Sequence, residues 1–258
     1  GEDSRHDVAL EERKVGQPSA HVAKRAPAGR YPERHHAVSR TRVRRSSAGP
    51  ARGPGARIGV FGGSFDPPHF GHLALAEWAR TELALDRVLF VPAGEPPHKR
   101  RGSLSPAKHR LAMTRLAVRG NPAFGVCTLE TRRRGASYTA DSLRALASTT
   151  PRAHWHLLMG ADMFATFDTW REPDEIARLA VLVVALRPGV PARRGTRRVR
   201  GGRKVIWLTN PGLEVSSSAL RARAARGMGL RYLVPDSVER YATRHALYSS
   251  GARRVRQG

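Results

Sequence analysis

The pattern of apolar and polar positions divides the chain into two contrasting parts. Residues 1–56 contain few large apolar residues and are rich in Pro, Gly, Ser, Ala and Arg. Such a segment cannot bury enough apolar surface to offset the entropy lost on ordering. We therefore predict a disordered basic extension over residues 1–56, a single folded domain over residues 57–248 and a disordered tail over residues 249–258.

From residue 57 onward, short apolar runs alternate with segments of helical periodicity. The runs predict buried strands at residues 58–61, 88–91, 124–129, 154–159, 179–186 and 205–208. Helical spacing predicts helices at residues 73–85, 106–118, 137–147, 218–226 and 236–243, with Ser137 or Thr139 capping the third. Residues 188–202, rich in Gly, Pro and Arg, predict an irregular connection. Strands that alternate with helices predict an α/β fold with a mostly parallel sheet.

Charge and cysteine content narrow the class of protein. The net charge of +25 would suit nucleic-acid binding, but the basic residues are spread along the chain and only five of the 46 are Lys. We therefore expect no nucleic-acid partner and keep a nucleic-acid-binding module as an alternative. No apolar run approaches the roughly 18 residues of a membrane span. We therefore expect no membrane partner. The lone Cys127 excludes an internal disulfide, which fits a reducing compartment, and we expect a cytoplasmic protein.

The segment between the first strand and the first helix carries a chemical pattern, Gly-Gly-Ser-Phe-Asp-Pro-Pro-His-Phe-Gly-His over residues 62–72. Open α/β sheets bind ligands at the carboxyl ends of their strands, where this segment is expected to lie. Gly62 and Gly63 allow backbone amides to approach a ligand. His72 falls in the first helical turn, which favours an anion, and His69 can converge on the same phosphate. Two such donors suit phosphoryl or nucleotidyl transfer.

Other interpretations of this segment are weaker. It lacks Gly-x-x-x-x-Gly-Lys-Ser/Thr and Gly-x-Gly-x-x-Gly, which disfavours a P-loop ATPase and a dehydrogenase. A tight turn with two incidental histidines is the structural alternative. A metal site formed by His69 and His72 is another, but no carboxylate or cysteine stands at suitable spacing. We therefore predict no metal bound by protein ligands.

Five motifs in order make the chain resemble a known family. The segment at residues 62–72 is similar to the signature of the nucleotidyltransferase superfamily, whose His-x-Gly-His motif also occurs in class I aminoacyl-tRNA synthetases. Together with four further motifs, this segment makes the chain resemble bacterial nicotinate-nucleotide adenylyltransferases. The four motifs are Pro96-Pro97-His98-Lys99, Ser137-Tyr138-Thr139-Ala140-Asp141-Ser142-Leu143, Gly160-Ala161-Asp162-Met163 with Trp170 downstream, and Val215-Ser216-Ser217-Ser218-Ala219-Leu220-Arg221. The family usually has Thr where this chain has Ser64 and Ser218, and Ser keeps the hydroxyl. The resemblance covers residues 57–248 and implies a Rossmann-like, doubly wound sheet.

The resemblance implies a reaction and a set of site residues. AMP would pass from ATP, bound with Mg²⁺, to nicotinate mononucleotide, giving deamido-NAD and pyrophosphate in NAD biosynthesis. The implied catalytic residues are His69, His72, Lys99 and Arg221. The implied ATP-binding residues are Gly62, Gly63, Ser64, Phe65, His69, His72, Ser217, Ser218 and Arg221. Those implied for nicotinate mononucleotide are Ser64, Lys99, Arg133, Thr139, Asp162 and Trp170.

The residues themselves leave alternatives for several of these positions. Ser216–Ser218 could only cap a helix, but a cation such as Arg221 in a first turn opposes the helix dipole, which favours a second phosphate clamp. Lys99 and Arg133 could be solvated charges, Asp162 another cap and Trp170 ordinary core. The rival activities are those of pantetheine-phosphate or nicotinamide mononucleotide adenylyltransferases and cytidylyltransferases. A tRNA synthetase fragment is disfavoured because no Lys-Met-Ser-Lys-Ser-like segment follows. The sequence leaves a homo-oligomer open.

Overall fold

A computed structural model describes residues 55–96, 102–186, 195–199, 203–208 and 212–249 of the chain. These residues belong to one compact unit, residues 45–258. Nearly all of the predicted N-terminal extension, the predicted tail beyond residue 249 and the predicted site residue Lys99 lie outside the described residues.

The described strands form one sheet of seven: β1 Arg57–Gly63, β2 Arg87–Pro92, β3 Phe124–Val126, β4 His154–Gly160, β5 Ala180–Ala185, β6 Gly195–Val199 and β7 Arg203–Leu208. Their order is β3-β2-β1-β4-β5-β7-β6. All neighbours are parallel except β6, which runs antiparallel to β7. The strand order reverses between β1 and β4, which is the switch point where such sheets bind ligands. The predicted Rossmann-like, mostly parallel sheet is confirmed.

The helices are α1 Phe70–Glu82, α2 Ala107–Val118, α3 Leu129–Arg132, α4 Thr139–Thr149, α5 Ala161–Ala165, α6 Pro173–Leu179, α7 Ser217–Ala225 and α8 Asp236–Arg244, with one 3-10 turn at Phe167–Thr169. Among the described residues, no helix combines the length and apolar content needed to cross a membrane. Helix α5 begins directly after β4, and α3 follows β3 after two intervening residues, so their N-termini lie at the carboxyl edge of the sheet.

Alternation along β1 explains why helices cover both faces of the sheet. Val60 packs in a buried cluster with Leu143 of α4 and Ile176 of α6. The next residue, Phe61, points to the other face and packs with Ala76 of α1. Successive strand residues point to opposite faces, so each buried strand needs apolar residues at every position. Leu143 is fully buried, and its replacement by Ala is expected to cost about 2–5 kcal/mol of folding free energy.

A third buried cluster joins the C-terminal helices to α2. It includes Met113 of α2, Leu220 of α7 and Val238 of α8. This packing fixes α7 relative to the rest of the domain. The start of α7 is thereby held near the end of β1, where the site lies.

Three local predictions were wrong. Residues 188–202 are not entirely irregular, because Gly195–Val199 forms β6, an edge strand held by backbone pairing with β7 rather than by an apolar pattern. The predicted strand 124–129 ends at Val126, and Leu129 begins α3. Neither Ser137 nor Thr139 caps α4: Tyr138 occupies the cap position, and the Ser137 hydroxyl accepts the backbone N–H of Gly94 instead.

Candidate active site

A cavity of about 840 Å³ opens at the carboxyl edge of the sheet, between β1 and β4. It brings together predicted site residues from four separate motifs: Gly62, Gly63, Ser64, Phe65, His69, His72, Thr139, Asp162, Trp170, Ser217, Ser218 and Arg221. Arg133 is not among the lining residues, and its Nη1 lies 3.8 Å from Oδ2 of Asp141. The two predicted clamps therefore share one cavity, whereas Arg133 does not reach it.

We divide the side chains that line this cavity into two groups, which we name the His end and the Trp end. The His end consists of His69, His72, Ser216–Ser218 and Arg221. The Trp end consists of Glu130, Ser137, Thr139, Asp162 and Trp170. Members of both ends line the same cavity.

The loop after β1 is shaped by two glycines and one strained residue. A Cβ at Gly63 would lie 3.1 Å from the Phe65 ring, while one at Gly62 would meet no atom within 4 Å. Phe65 is buried and has a φ of 48°, which is unusual for a residue with a side chain. Such strain persists where the surroundings hold it, often at a functional site. Gly63 therefore makes room for the Phe65 ring, and Gly62 leaves the backbone open to the cavity.

The rings of the two histidines lie against each other at the start of α1, tilted by 32°. His69 is the N-cap residue, and its backbone N–H donates to Nδ1 of His72 at 3.2 Å. The ring centroids lie 3.7 Å apart. A Cβ at position 71 would lie 3.0 Å from Nδ1 of His69, which explains the glycine between them. Because Nδ1 of His72 accepts a hydrogen bond, the proton of the neutral ring is on Nε2.

Both imidazoles are neutral at physiological pH. Burial lowers the pKa of His69 from 6.5 to about 4. Burial, and secondly the neighbouring His69, lower the pKa of His72 well below its usual value. The His72 ring is packed at 5.8 Å from Phe61 and 5.1 Å from Phe65, which accounts for its desolvation. These side chains therefore offer N–H donors and not positive charges.

The start of α7 is bonded directly to the loop that precedes α1. The Ser216 hydroxyl caps α7 by accepting the N–H of Ala219. The Ser217 hydroxyl donates to the carbonyl of Pro67 at 2.8 Å, and Nη1 of Arg221 donates to the carbonyl of Asp66 at 2.8 Å. A guanidinium has five N–H donors, so Arg221 retains others for a ligand. The His end therefore combines the N-termini of α1 and α7 with one cation, Arg221.

Asp66 was not among the predicted site residues. Its carboxylate is completely buried, and accepts the Tyr248 hydroxyl at 2.7 Å and the N–H of Ser105 at 2.9 Å. Its place within the motif at residues 62–72 is the sequence signal that could have singled it out. Tyr248 carries no such signal, since only the fold brings it to this loop.

A second unpredicted residue, Arg110, holds the loop that contains Asp66 by hydrogen bonds to backbone carbonyls. It is buried at 2% exposure and donates to the carbonyls of Ser64, Gly94 and Ser105. Its position on the buried face of α2, beside Met113, is the sequence signal, because a charged residue there must find partners. Arg110 thus joins the loop after β1 to the loop after β2.

The Trp end contains a buried carboxyl group that the sequence did not single out. Oε1 of Glu130 accepts the Ser142 hydroxyl at 2.7 Å, and burial raises the pKa of this carboxyl. The carbonyl of Glu130 lies so close to Gly94 that an added Cβ there would be 2.3 Å away. Gly94 in turn donates its N–H to the Ser137 hydroxyl. Glu130 therefore holds α4, through Ser142, against the segment that contains Gly94.

Asp162 and Trp170 complete the Trp end from the segment after β4. Asp162 lies in the first turn of α5, and a Cβ at Gly160 would be 2.5 Å from its Oδ1. The Trp170 ring lies 5.4 Å from the Phe167 ring and is half-buried. The cavity is therefore lined by both a carboxylate and a flat aromatic surface.

Comparison with known proteins gives a consistent set of relatives. The Cytidylyltransferase-like family model matches residues 60–223. The probable nicotinate-nucleotide adenylyltransferase of Thermomicrobium roseum is 47% identical over 196 residues, or 75% of this chain and 92% of that protein. The protein of the same name from Salinibacter ruber is 42% identical over 191 residues, 74% of this chain and 97% of that protein.

A solved structure supports the fold. Plasmodium falciparum nicotinic acid mononucleotide adenylyltransferase complexed with NaAD matches with a TM-score of 0.62 and 17% identity, over 75% of this chain and 97% of that chain. At this identity, the likeness shows that the two proteins share a fold.

Proposed function

The chain belongs to the cytidylyltransferase-like family and within it to the nicotinate-nucleotide adenylyltransferases, and from this premise we propose how its cavity performs the reaction. The protein transfers AMP from ATP to nicotinate mononucleotide, which yields deamido-NAD and pyrophosphate. The observation that carries the assignment of roles is that the His end and the Trp end line one cavity at the switch point of the sheet. One cavity can then hold both substrates with their phosphates adjacent.

The chemical step is an in-line displacement at phosphorus. An oxygen of the mononucleotide 5′-phosphate forms a bond to the α-phosphorus of ATP, while the bond from that phosphorus to the bridging oxygen of the β-phosphate breaks. The electron pair of the broken bond leaves with pyrophosphate. A phosphate monoester with a second pKa of about 6 is already largely ionised near neutrality, so no general base is required. Alignment and charge stabilisation then supply the rate enhancement.

The His end is assigned to the triphosphate. His69 and His72 are neutral, so each can donate a hydrogen bond to a phosphate oxygen. Because Nδ1 of His72 is an acceptor, its donor is the Nε2–H group. Ser217, Ser218 and Arg221 would contact the β- and γ-phosphates from the opposite side. Gly62, Gly63, Ser64 and Phe65 would supply the backbone beneath the nucleotide. Lys99 stays a predicted catalytic residue outside the described part.

The Trp end is assigned to nicotinate mononucleotide. A half-buried indole offers a face on which a pyridine ring can stack, and Asp162 can accept hydrogen bonds from vicinal ribose hydroxyls. Thr139 stands at the start of α4, where amides favour the nicotinate carboxylate. Ser64 lines the same cavity and would contact both substrates. Arg133 contributes only if it turns away from Asp141, since it does not line the cavity.

Magnesium enters as part of the ATP complex. In the described part of the chain, no three His, Cys, Asp or Glu side chains form a group that could hold a metal ion. Phosphate oxygens and water are the usual ligands of Mg²⁺ beside a nucleotide. We propose that the triphosphate itself holds the ion. The unpaired Cys127 suits the reducing cytoplasm in which we place this reaction.

A substrate panel tests the assignment. The full chain is assayed for pyrophosphate release with MgATP and, separately, nicotinate mononucleotide, nicotinamide mononucleotide or phosphopantetheine. We expect release with nicotinate mononucleotide, and the rate with the nicotinamide analogue measures the preference for the acid. Replacing ATP by CTP should abolish release.

Two outcomes would contradict the assignment. Release with phosphopantetheine alone would move the activity to another adenylyltransferase. No release with any mononucleotide, together with salt-dependent binding of DNA or RNA, would favour the nucleic-acid-binding alternative.

A further inference from the structure

The loop that bonds to Arg221 is itself held by a residue from the far end of the described chain. Tyr248 follows α8 and packs in the third cluster with Met113 and Leu220. Its hydroxyl donates to Oδ1 of Asp66 at 2.7 Å. Tyr248 is not among the residues that line the cavity. Its influence on the site therefore passes through Asp66.

Asp66 connects the Tyr248 hydroxyl to the His end, because its side chain and its backbone carbonyl make separate hydrogen bonds. Its carboxylate is held by Tyr248 and by the N–H of Ser105, while its backbone carbonyl accepts Nη1 of Arg221. The next carbonyl, that of Pro67, accepts the Ser217 hydroxyl. Fixing the carboxylate therefore fixes the two carbonyls that orient the start of α7.

The Tyr248 hydroxyl is suited to a permanent donor role. Burial, and secondly the Asp66 carboxylate, raise the pKa of Tyr248 above its usual value, so the phenol keeps its proton at physiological pH. Asp66 is completely buried, so water cannot replace this donor without entering the packed loop.

We propose that Tyr248 is a positioning residue for the ATP clamp: its hydrogen bond to Asp66 sets the orientation of Arg221 and Ser217. This inference rests on the proposed function, because the effect is measured as adenylyl transfer. Tyr248 touches no substrate, so its role differs from that of a catalytic residue.

The test is Tyr248→Phe in the full chain, after wild-type activity has been established with MgATP and nicotinate mononucleotide. Because this bond orients groups that bind ATP, we expect its loss to raise KM for ATP about tenfold, the size of one hydrogen bond to a charged group. KM for nicotinate mononucleotide should change less than about twofold, because Asp66 is bonded to Arg221 of the His end. An inactive wild type would refute the proposed function; an active wild type with an unaltered Tyr248→Phe variant refutes only the positioning role of Tyr248.

Tyr241→Phe is the matched control. The Tyr241 hydroxyl lies on α8 and bonds Nδ1 of His109 at 3.0 Å, so the control also removes one side-chain hydrogen bond from the same helical region. It should leave both KM values at the wild-type level. An equal rise in KM for ATP in both variants would mean that helix packing, and not the bond to Asp66, causes the effect.

A double-mutant cycle separates positioning from general destabilisation. If Tyr248 acts through Arg221, then Tyr248→Phe should add little to the KM for ATP of Arg221→Ala. Fully additive effects would overturn the proposal. If Tyr248→Phe does not fold, the Asp66→Asn variant tests the same hydrogen bond, because it keeps the side-chain size and weakens the acceptor. An Asp66→Asn variant with wild-type KM for ATP would refute the inference.

Discussion

The His end and the Trp end of the cavity are built in different ways. At the His end, two helix starts are bonded to each other, since Ser217 and Arg221 donate to main-chain carbonyls of the loop before α1. At the Trp end, half-buried Trp170 and exposed Asp162 come from one segment after β4. Groups that stabilise a transition state must be held rigidly, whereas groups that recognise a ring can act through surface contact. We therefore expect damage at the His end to lower kcat or to raise KM for ATP, and damage at the Trp end to raise only KM for nicotinate mononucleotide.

The largest effect is expected from removing His72. His72→Ala should lower kcat by a factor on the order of 10²–10³, the usual cost of losing one donor to a developing charge. The thermal midpoint of unfolding should change little by comparison. Pyrophosphate release and thermal denaturation measure the two quantities on the same preparation.

His154→Ala is the matched control for that variant. His154 is exposed on β4 and does not line the cavity. The control should retain wild-type kcat. A His72→Ala enzyme with near wild-type turnover would remove the distinction between the two ends.

Acidification should separate the two ends by the sign of their effect on stability. Because the pKa of His69 falls from 6.5 to about 4 on folding, the unfolded chain binds more protons in that window. Stability is therefore lost as the pH falls through it, by about 2 kcal/mol from His69 between pH 7 and 5. The raised pKa of Glu130 acts oppositely: its contribution is present below 4.5 and lost as the pH rises.

Urea unfolding at pH 7 and pH 5 measures this difference. His69→Gln should flatten the loss of unfolding free energy on acidification, since it removes a group that must be buried neutral. Glu130→Gln should steepen the loss. The opposite pattern in either variant would contradict the sign expected for that residue.

The sequence predicted most of the site because its motifs lie where strands end and helices begin. The position of His72 in a first helical turn, and of Ser216 at a helix cap, follows from local patterns of apolar residues and hydroxyls. The family resemblance also implied that both helix starts bind the phosphates of one ATP. These are short-range features, and the structure places them together at the cavity.

The parts that the sequence did not predict depend on long-range contacts. Tyr248 meets Asp66 across 182 positions, and Arg110 meets Ser64 across 46. No local periodicity encodes such pairs. The edge strand β6 was missed for a related reason, because an edge strand is held by backbone pairing and needs no apolar alternation.

The smallest effect is expected at the Trp end, from Trp170→Ala. Loss of aromatic stacking corresponds to a rise of about threefold to tenfold in KM for nicotinate mononucleotide, with KM for ATP unchanged. Trp170→Phe should lie between the variant and the wild type, because a smaller ring still stacks. Trp78→Ala, at an exposed position on α1, is the control that should alter neither KM. Equal changes in both KM values of Trp170→Ala would show that the indole only supports the core around Phe167, and the Trp end would then need another platform for the pyridine ring.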